Sequence, residues 1–110
     1  MRIYISIPIS GHNLTTQQRK ALEIADKLRK LEHEPVNPFD TPPPSGNLSE
    51  KDEYAYYIGE DMKKLLLCDA VFLCDGWNRS KGCRLEVQAA LLYGMRLYGR
   101  LEDVQPWAAL

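Results

Sequence analysis

A chain of 110 residues with 45% apolar and 26% charged residues and a formal net charge of −1 has the size and make-up of one soluble domain. The near-neutral balance gives no electrostatic case for a nucleic-acid polymer as partner, because domains that hold one are clearly basic. No apolar run approaches the ~18 residues of a membrane span, so no membrane partner is expected.

The opening Met1-Arg2-Ile3-Tyr4-Ile5 enters a strand-like run at once, without the tripartite build of a secretion signal. The three cysteines, Cys68, Cys74 and Cys83, are odd in number and fit no C-x-x-C spacing. Reduced thiols in a cytoplasmic protein are the expectation, with no metal site and no cofactor. A core of this size is modest, and self-association would add to it.

Residues 3–7 form an apolar run suited to a strand covered on both faces. Pro8 ends it, and Ser10-Gly11 supplies turn chemistry. The spacing then predicts a helix over about 15–31, opened by Thr15 and Gln18 at capping-box distance. Its expected buried stripe is Leu22, Ala25 and Leu28, with Ile24 and Leu31. Residues 34–37 read as a brief second strand, placed at an edge by Pro35.

Thr41-Pro42-Pro43-Pro44-Ser45-Gly46 excludes helix and central strand. It reads as an extended surface connector, with a lid as the other reading. A second helix is expected over about 53–67, with Tyr54, Tyr57, Ile58, Met62, Leu65 and Leu66 as its apolar positions. Residues 70–74 form a third continuously apolar strand, followed by a loop over 75–80. A third helix is expected over about 82–93, with Leu85, Ala89 and Leu92 facing the core. Gly94 ends it, and residues 95–98 give a fourth strand. In the tail, Pro106-Trp107 packs either on the body or on a second subunit.

Strands alternating with helices imply parallel pairing through right-handed crossovers. The expected fold is a single α/β domain over 1–110, three-layered and flavodoxin- or Rossmann-like, with four parallel strands in the order 2-1-3-4. Such sheets bind ligands beyond the carboxyl ends of the strands, where the chain order switches. That point falls between the first and third strands, where the loops over 6–11 and 75–82 meet.

Several residues near that point sit oddly in a purely structural role. Asp61 lies three after Ile58 and four before Leu65, on the inner stripe of its helix. A carboxyl there needs a partner or its pKa rises, and a raised pKa suits a general acid at neutral pH. The plain reading is an edge residue paired with Lys64 or solvated. Glu86 lies about one turn into the third helix. Ahead of it, Ser80-Lys81-Gly82-Cys83 is a loop turning into a helix, with the amides of Gly82 and Cys83 expected to be free for an anion. The plain reading is Ser80 as an N-cap and Glu86 in an ion pair with Arg84 or Lys81. Two carboxylates at one crevice suit glycosyl chemistry.

Tyr4 carries a polar tip that needs a partner if buried, and Ser6 stands near the end of the first strand, within reach of a ligand. Trp77 is either a stacking surface for a base, a lid anchor or a subunit contact. His12 and His33 have no ligand spacing and receive no role.

Taken together, these segments resemble a known family. Tyr4-Ile5-Ser6-Ile7-Pro8-Ile9-Ser10-Gly11 resembles the opening strand and loop of the nucleoside 2-deoxyribosyltransferase superfamily, and Asn37-Pro38-Phe39 the second-strand exit of its short phage and bacterial members. Asp61, with Asp69 eight residues later, is similar to the segment carrying the family's acidic residue. Ser80-x-Gly82-x-x-x-Glu86 is similar to its nucleophile motif. The resemblance covers about residues 2–98 in the right order.

That resemblance implies Glu86 as the nucleophile attacking C1′ of a (deoxy)ribose, Asp61 as the group assisting departure of the base, and Tyr4 as the residue orienting Glu86. Substrate would be held by Ser6, Ile9, Ser10, Gly11, Asp75, Trp77, Ser80 and Gly82. The position six before the nucleophile is usually Asp in the transferases and Ser in the related nucleoside 5′-monophosphate N-glycosidases. Ser80 therefore implies hydrolysis of the N-glycosidic bond of a (deoxy)nucleoside 5′-monophosphate, through a glutamyl-glycosyl intermediate and with retention. A homodimer or larger homo-oligomer is implied, because characterised members complete the site from a second subunit. Ile7, Cys83 and Arg84 depart from the family pattern. The competing expectations are a catalytically silent nucleotide-binding module and a small interaction protein using Trp77 and Trp107.

Overall fold

The computed structural model describes residues 1–110. Four strands, β1 (Arg2–Ser6), β2 (Glu34–Val36), β3 (Ala70–Leu73) and β4 (Arg96–Tyr98), alternate with three helices, α1 (Leu14–Lys30), α2 (Glu50–Leu66) and α3 (Lys81–Leu92). All strand pairs are parallel and the order is β2-β1-β3-β4, as the alternation of elements predicts. Register places Tyr4 beside Val71 and Ser6 beside Leu73, so β1 and β3 end side by side at the switch point.

The two faces of the sheet divide by the strand's period of two. Ile3, Ile5 and Ile7 join Ala70 and Phe72 against Ala21, Ala25 and Leu28 of α1. Tyr4, Val71 and Leu73 turn to the other face, against Leu65 of α2 with Val87 and Ala90 of α3. Both faces are covered, which is why β1 and β3 read as unbroken apolar runs. On β1, that second face carries the hydroxyls of Tyr4 and Ser6, both fully buried. Buried hydroxyls need partners, and theirs define the site described below.

The helix phases differ from the sequence expectations. α1 starts at Leu14, because Asn13, not Thr15, is the cap: its side chain accepts from the Thr16 amide at 2.9 Å. The buried stripe is Gln17, Ala21, Ala25 and Leu28, while Leu22 is 55% exposed. The two alanines let the helix lie close to the sheet, where a leucine at 22 would stand it off. α2 starts at Glu50 rather than near 53, capped by Ser49, which accepts from the Asp52 amide at 3.1 Å. Of its expected apolar positions, Tyr54 and Leu66 are exposed.

In α3 the correction is larger. Leu85 and Leu92 point outward, Leu92 at 81% exposure, and Cys83, Glu86, Val87 and Ala90 point inward. Periodicity reading favours large apolar residues for the interior; here the helix presents its small residues to the sheet and its carboxylate to two buried hydroxyls. In the tail, Trp107 packs on the body, its amide donating to the Leu31 carbonyl at 2.9 Å and its ring edge-on to His33. His33 is buried and structural, bonded to the Met1 amino group and to the Gln105 carbonyl. All three cysteines are free, and no helix is long and apolar enough to cross a membrane.

Candidate active site

A cleft of about 950 Å³ opens at the carboxyl end of β1, between α2 and the start of α3. Glu86 forms its inner wall. The carboxylate is 4% exposed, and each oxygen accepts one hydrogen bond: Oε2 from the Tyr4 hydroxyl at 2.6 Å, Oε1 from the Ser6 hydroxyl at 2.7 Å. The ion pairs with Arg84 or Lys81 that a surface position would allow are not formed. Burial raises the Glu86 carboxyl from 4.5 to about 7; the Tyr4 and Ser6 hydrogen bonds oppose that rise and Asp61 adds to it. A carboxyl so poised carries its charge change into the neutral range, as a catalytic group requires.

Asp61, brought in by α2, lines the same cleft. The positions Glu50, Glu53, Tyr54, Tyr57, Ile58 and Asp61 follow the i, i+3, i+4 rule and form one cleft-facing stripe. Tyr54, Tyr57 and Ile58, expected as apolar positions of this helix, face the cleft. Asp61 is 8% exposed. Burial raises its carboxyl from 3.8 to about 6, against the lowering influences of Lys64 and the Tyr4 hydroxyl. A hydroxyl has one proton, and the 2.6 Å contact directs that of Tyr4 to Glu86. Asp61 therefore has no donor dedicated to it. Lys64 forms no ion pair with it and instead donates to the Asn37 carbonyl at 3.4 Å.

The start of α3 forms the third wall. Ser80 is the N-cap, as the plain reading had it, and accepts from the Cys83 amide at 3.2 Å. Cys83 is thus satisfied, and the amides without an intrahelical partner are those of Lys81 and Gly82, the first two of the helix. Gly82 lies close under α2: a Cβ there would meet Ile58 Cδ1 at 3.5 Å. Arg79 and Lys81 line the same wall. The helix N-terminus and two cations together make this the electropositive end of the cleft.

Of the residues expected around a ligand, Tyr4, Asp61, Glu86, Ile9, Ser10, Ser80 and Gly82 line the cleft. Four do not. Ser6 is 0% exposed and lies behind Glu86, so it touches the carboxylate and not the cleft. Gly11, at φ +79, shapes the turn without bordering the opening. Asp75 belongs to a smaller hollow of about 300 Å³ that it shares with Phe72 of the α1 face. Trp77 does not line the cleft; half-buried, it packs against the core cluster of Tyr4, Leu65 and Val87.

The sequence reading missed Phe39 and Thr41, which follow β2, and the basic pair Arg79 and Lys81. The cations flank the Ser80 cap, so that signal was present. Thr41 carried none. Its Oγ1 is enclosed without a partner, an exception to the rule that buried polar atoms are bonded.

The strand order and flanking helices make an α/β protein whose fold is like that of a nucleoside 2-deoxyribosyltransferase. Residues 1–98 match the family model described as Domain of unknown function (DUF4406), and the chain belongs to that family. No curated protein matches it. Among solved structures it is similar to a 2-deoxyribosyltransferase from the psychrotolerant bacterium Bacillus psychrosaccharolyticus, with a TM-score of 0.67 and 18% identity over 88% of this chain and 69% of that one. It is also similar to a conserved protein from Enterococcus faecalis V583, with a TM-score of 0.66 and 17% identity over 88% of this chain and 60% of that one. At these identities the likeness is one of fold.

Proposed function

We propose that the chain cleaves the N-glycosidic bond of a (deoxy)nucleoside 5′-monophosphate by a retaining, two-step mechanism, with hydrolysis favoured over base exchange. The observation that carries this reading is the buried Glu86 carboxylate, held on both oxygens and lining one ligand-sized cleft together with Asp61. Glu86 attacks C1′ while the base leaves, taking a proton from Asp61. Water then attacks C1′ of the glycosyl ester and restores Glu86. Two modest barriers replace one high one. Tyr4 holds the nucleophile in line. The reaction needs no cofactor or metal ion.

The 5′-phosphate goes to the start of α3. Lys81 and Gly82 supply free amides there, Arg79 and Lys81 supply charge, and Ser80 borders the same wall. Anions bind such helix starts because unpaired N–H groups and the helix dipole act together. Ile9 and Ser10 close the opposite rim. A cytoplasmic setting belongs to the same proposal and suits three free thiols. So does a homodimer: Leu85, Leu91, Leu92 and Tyr93 of the α3 end, with Leu66 and Leu67 of α2, leave apolar surface exposed.

One observation favours a runner-up, a catalytically silent nucleotide-binding module: with its carboxyl raised to about 7, Glu86 is in good part protonated at neutral pH, which weakens a nucleophile. A panel of nucleosides and nucleoside monophosphates assayed for free base, with and without an added acceptor base, separates the two. The enzyme reading expects base release from a monophosphate and its loss in Glu86→Ala. Saturable monophosphate binding without base release from any member of the panel establishes the module instead.

A further inference from the structure

Tyr4 and Ser6 are two residues apart on β1, so their side chains leave the same face of the strand. That face looks onto α3, and the two hydroxyls take the two oxygens of a single carboxylate. They are not equivalent. Both are fully buried, but Tyr4 borders the cleft and Ser6 borders neither hollow. The Tyr4-bonded oxygen, Oε2, is therefore on the open side of the carboxylate, and the Ser6-bonded oxygen, Oε1, on the closed side.

We propose that Ser6 is a positioning residue that locks Oε1 of Glu86 inside the protein and so presents Oε2 as the attacking oxygen. This rests on the reading of Glu86 as the nucleophile. In the first step the C1′–Oε2 bond forms as the C1′–N bond breaks. The electron pair of that bond leaves with the base, which takes the Asp61 proton. Oε1 becomes the carbonyl oxygen of the ester and keeps its bond from Ser6. In the second step the oxygen of water bonds C1′, a proton of that water returns to Asp61, and the C1′–Oε2 pair returns to the carboxylate. Ser6 never has to move. A donor fixed on Oε1 favours the carboxylate over the carboxylic acid before attack and after release.

The titratable groups around this carboxylate are Tyr4 of β1, Asp61 of α2, Cys83 of α3 and Cys74 at the end of β3; Arg79 and Lys81 stand at the cleft wall. Burial and Asp61 oppose its charge, and the hydroxyls of Tyr4 and Ser6 favour it. Tyr4 borders the cleft a sugar would enter. Ser6 is the donor a substrate cannot reach.

The test is an infrared titration of the Glu86 carboxyl, isolated by subtracting the E86Q spectrum, in wild type, S6A and S6T, together with base release across pH. Removing one hydrogen bond to a charged oxygen is expected to raise the midpoint by about one unit. The acid limb of the activity profile should move up with it and narrow the bell, so that S6A is impaired at neutral pH. S6T, which restores a hydroxyl, should return both midpoints towards wild type. Circular dichroism serves as the control for folding. Active wild type whose midpoint is unmoved in a folded S6A overturns the role of Ser6 alone. Wild type that releases no base overturns the nucleophile reading, and the attacking-oxygen assignment with it.

Discussion

Asp61 and Glu86 reach one cleft from successive helices, and the chain treats them in opposite ways. Glu86 has a proton donor on each oxygen. Asp61 has no donor of its own, and its nearest cation, Lys64, is turned to the Asn37 carbonyl. Burial raises both carboxyls, to about 7 and about 6 respectively. Over that interval the pair holds about one proton, shared between two sites that titrate as a unit. The productive arrangement puts the proton on Asp61 and the charge on Glu86. The two hydroxyls pull towards it, but burial leaves the Glu86 carboxyl the higher of the two, so the productive form is the minor one.

Activity should therefore follow a bell with limbs near pH 6 and 7. Below the lower limb both groups are protonated and Glu86 cannot attack. Above the upper limb both are ionised and the base leaves without a proton. A kcat/KM profile in the free enzyme reads these two limbs directly. Asp61→Asn should remove the alkaline limb and slow cleavage by roughly 10²–10⁴-fold, least for bases that leave easily.

The same shifts make stability depend on pH, with a definite sign. Both carboxyls bind protons more tightly folded than unfolded. The stability they contribute is fully present below their unfolded values of 3.8 and 4.5 and is lost as pH rises through about 6 and 7. For Glu86 this amounts to roughly 3 kcal/mol. Glu86→Gln should accordingly gain thermal stability relative to wild type between pH 5 and pH 8, which paired melting curves across pH would measure.

Tyr4→Phe removes the donor to the oxygen on the cleft side. The Glu86 midpoint should rise, the acid limb should follow it, and kcat/KM at neutral pH should fall by at least about tenfold. A uniform loss at every pH, with unshifted limbs, would assign Tyr4 a packing role instead.

The electropositive start of α3 separates monophosphates from nucleosides. Arg79→Ala and Lys81→Ala should raise KM for a monophosphate by about tenfold each, the scale of one charge-assisted contact, and leave the weak reaction with the matching nucleoside unchanged. Ser80→Ala should in addition cost about 1 kcal/mol of stability through loss of the N-cap, visible as a lower Tm.

Much of this was legible in the sequence, for identifiable reasons. The continuous apolar runs of β1 and β3, and a helix between each strand and the next, pointed to a parallel sheet and its order. The position of Asp61 between Ile58 and Leu65 placed it on an inner stripe. What failed was helix phase. Leucine looks like core, yet Leu22, Leu85 and Leu92 face out while Ala21, Ala25, Cys83 and Ala90 face in, because a helix lying on a sheet needs small residues at closest approach. The role of Ser6 was also hidden. A serine at a strand end reads as a ligand contact, and only its register beside Leu73 with the phase of α3 puts the Glu86 carboxylate over it. The loop position of Trp77 left a stacking surface, a lid anchor and a subunit contact all open, because only tertiary packing puts its half-buried ring against the core cluster around Tyr4 and Leu65.

The most direct test of the central claim is intact-mass measurement after incubation with a nucleoside monophosphate bearing fluorine at C2′, a substituent that slows release of a glycosyl ester. The account expects one added sugar-phosphate per chain, mapped to Glu86 by peptide sequencing and absent in Glu86→Ala. Base release in the complete absence of an adduct, or an adduct on any other residue, would contradict it.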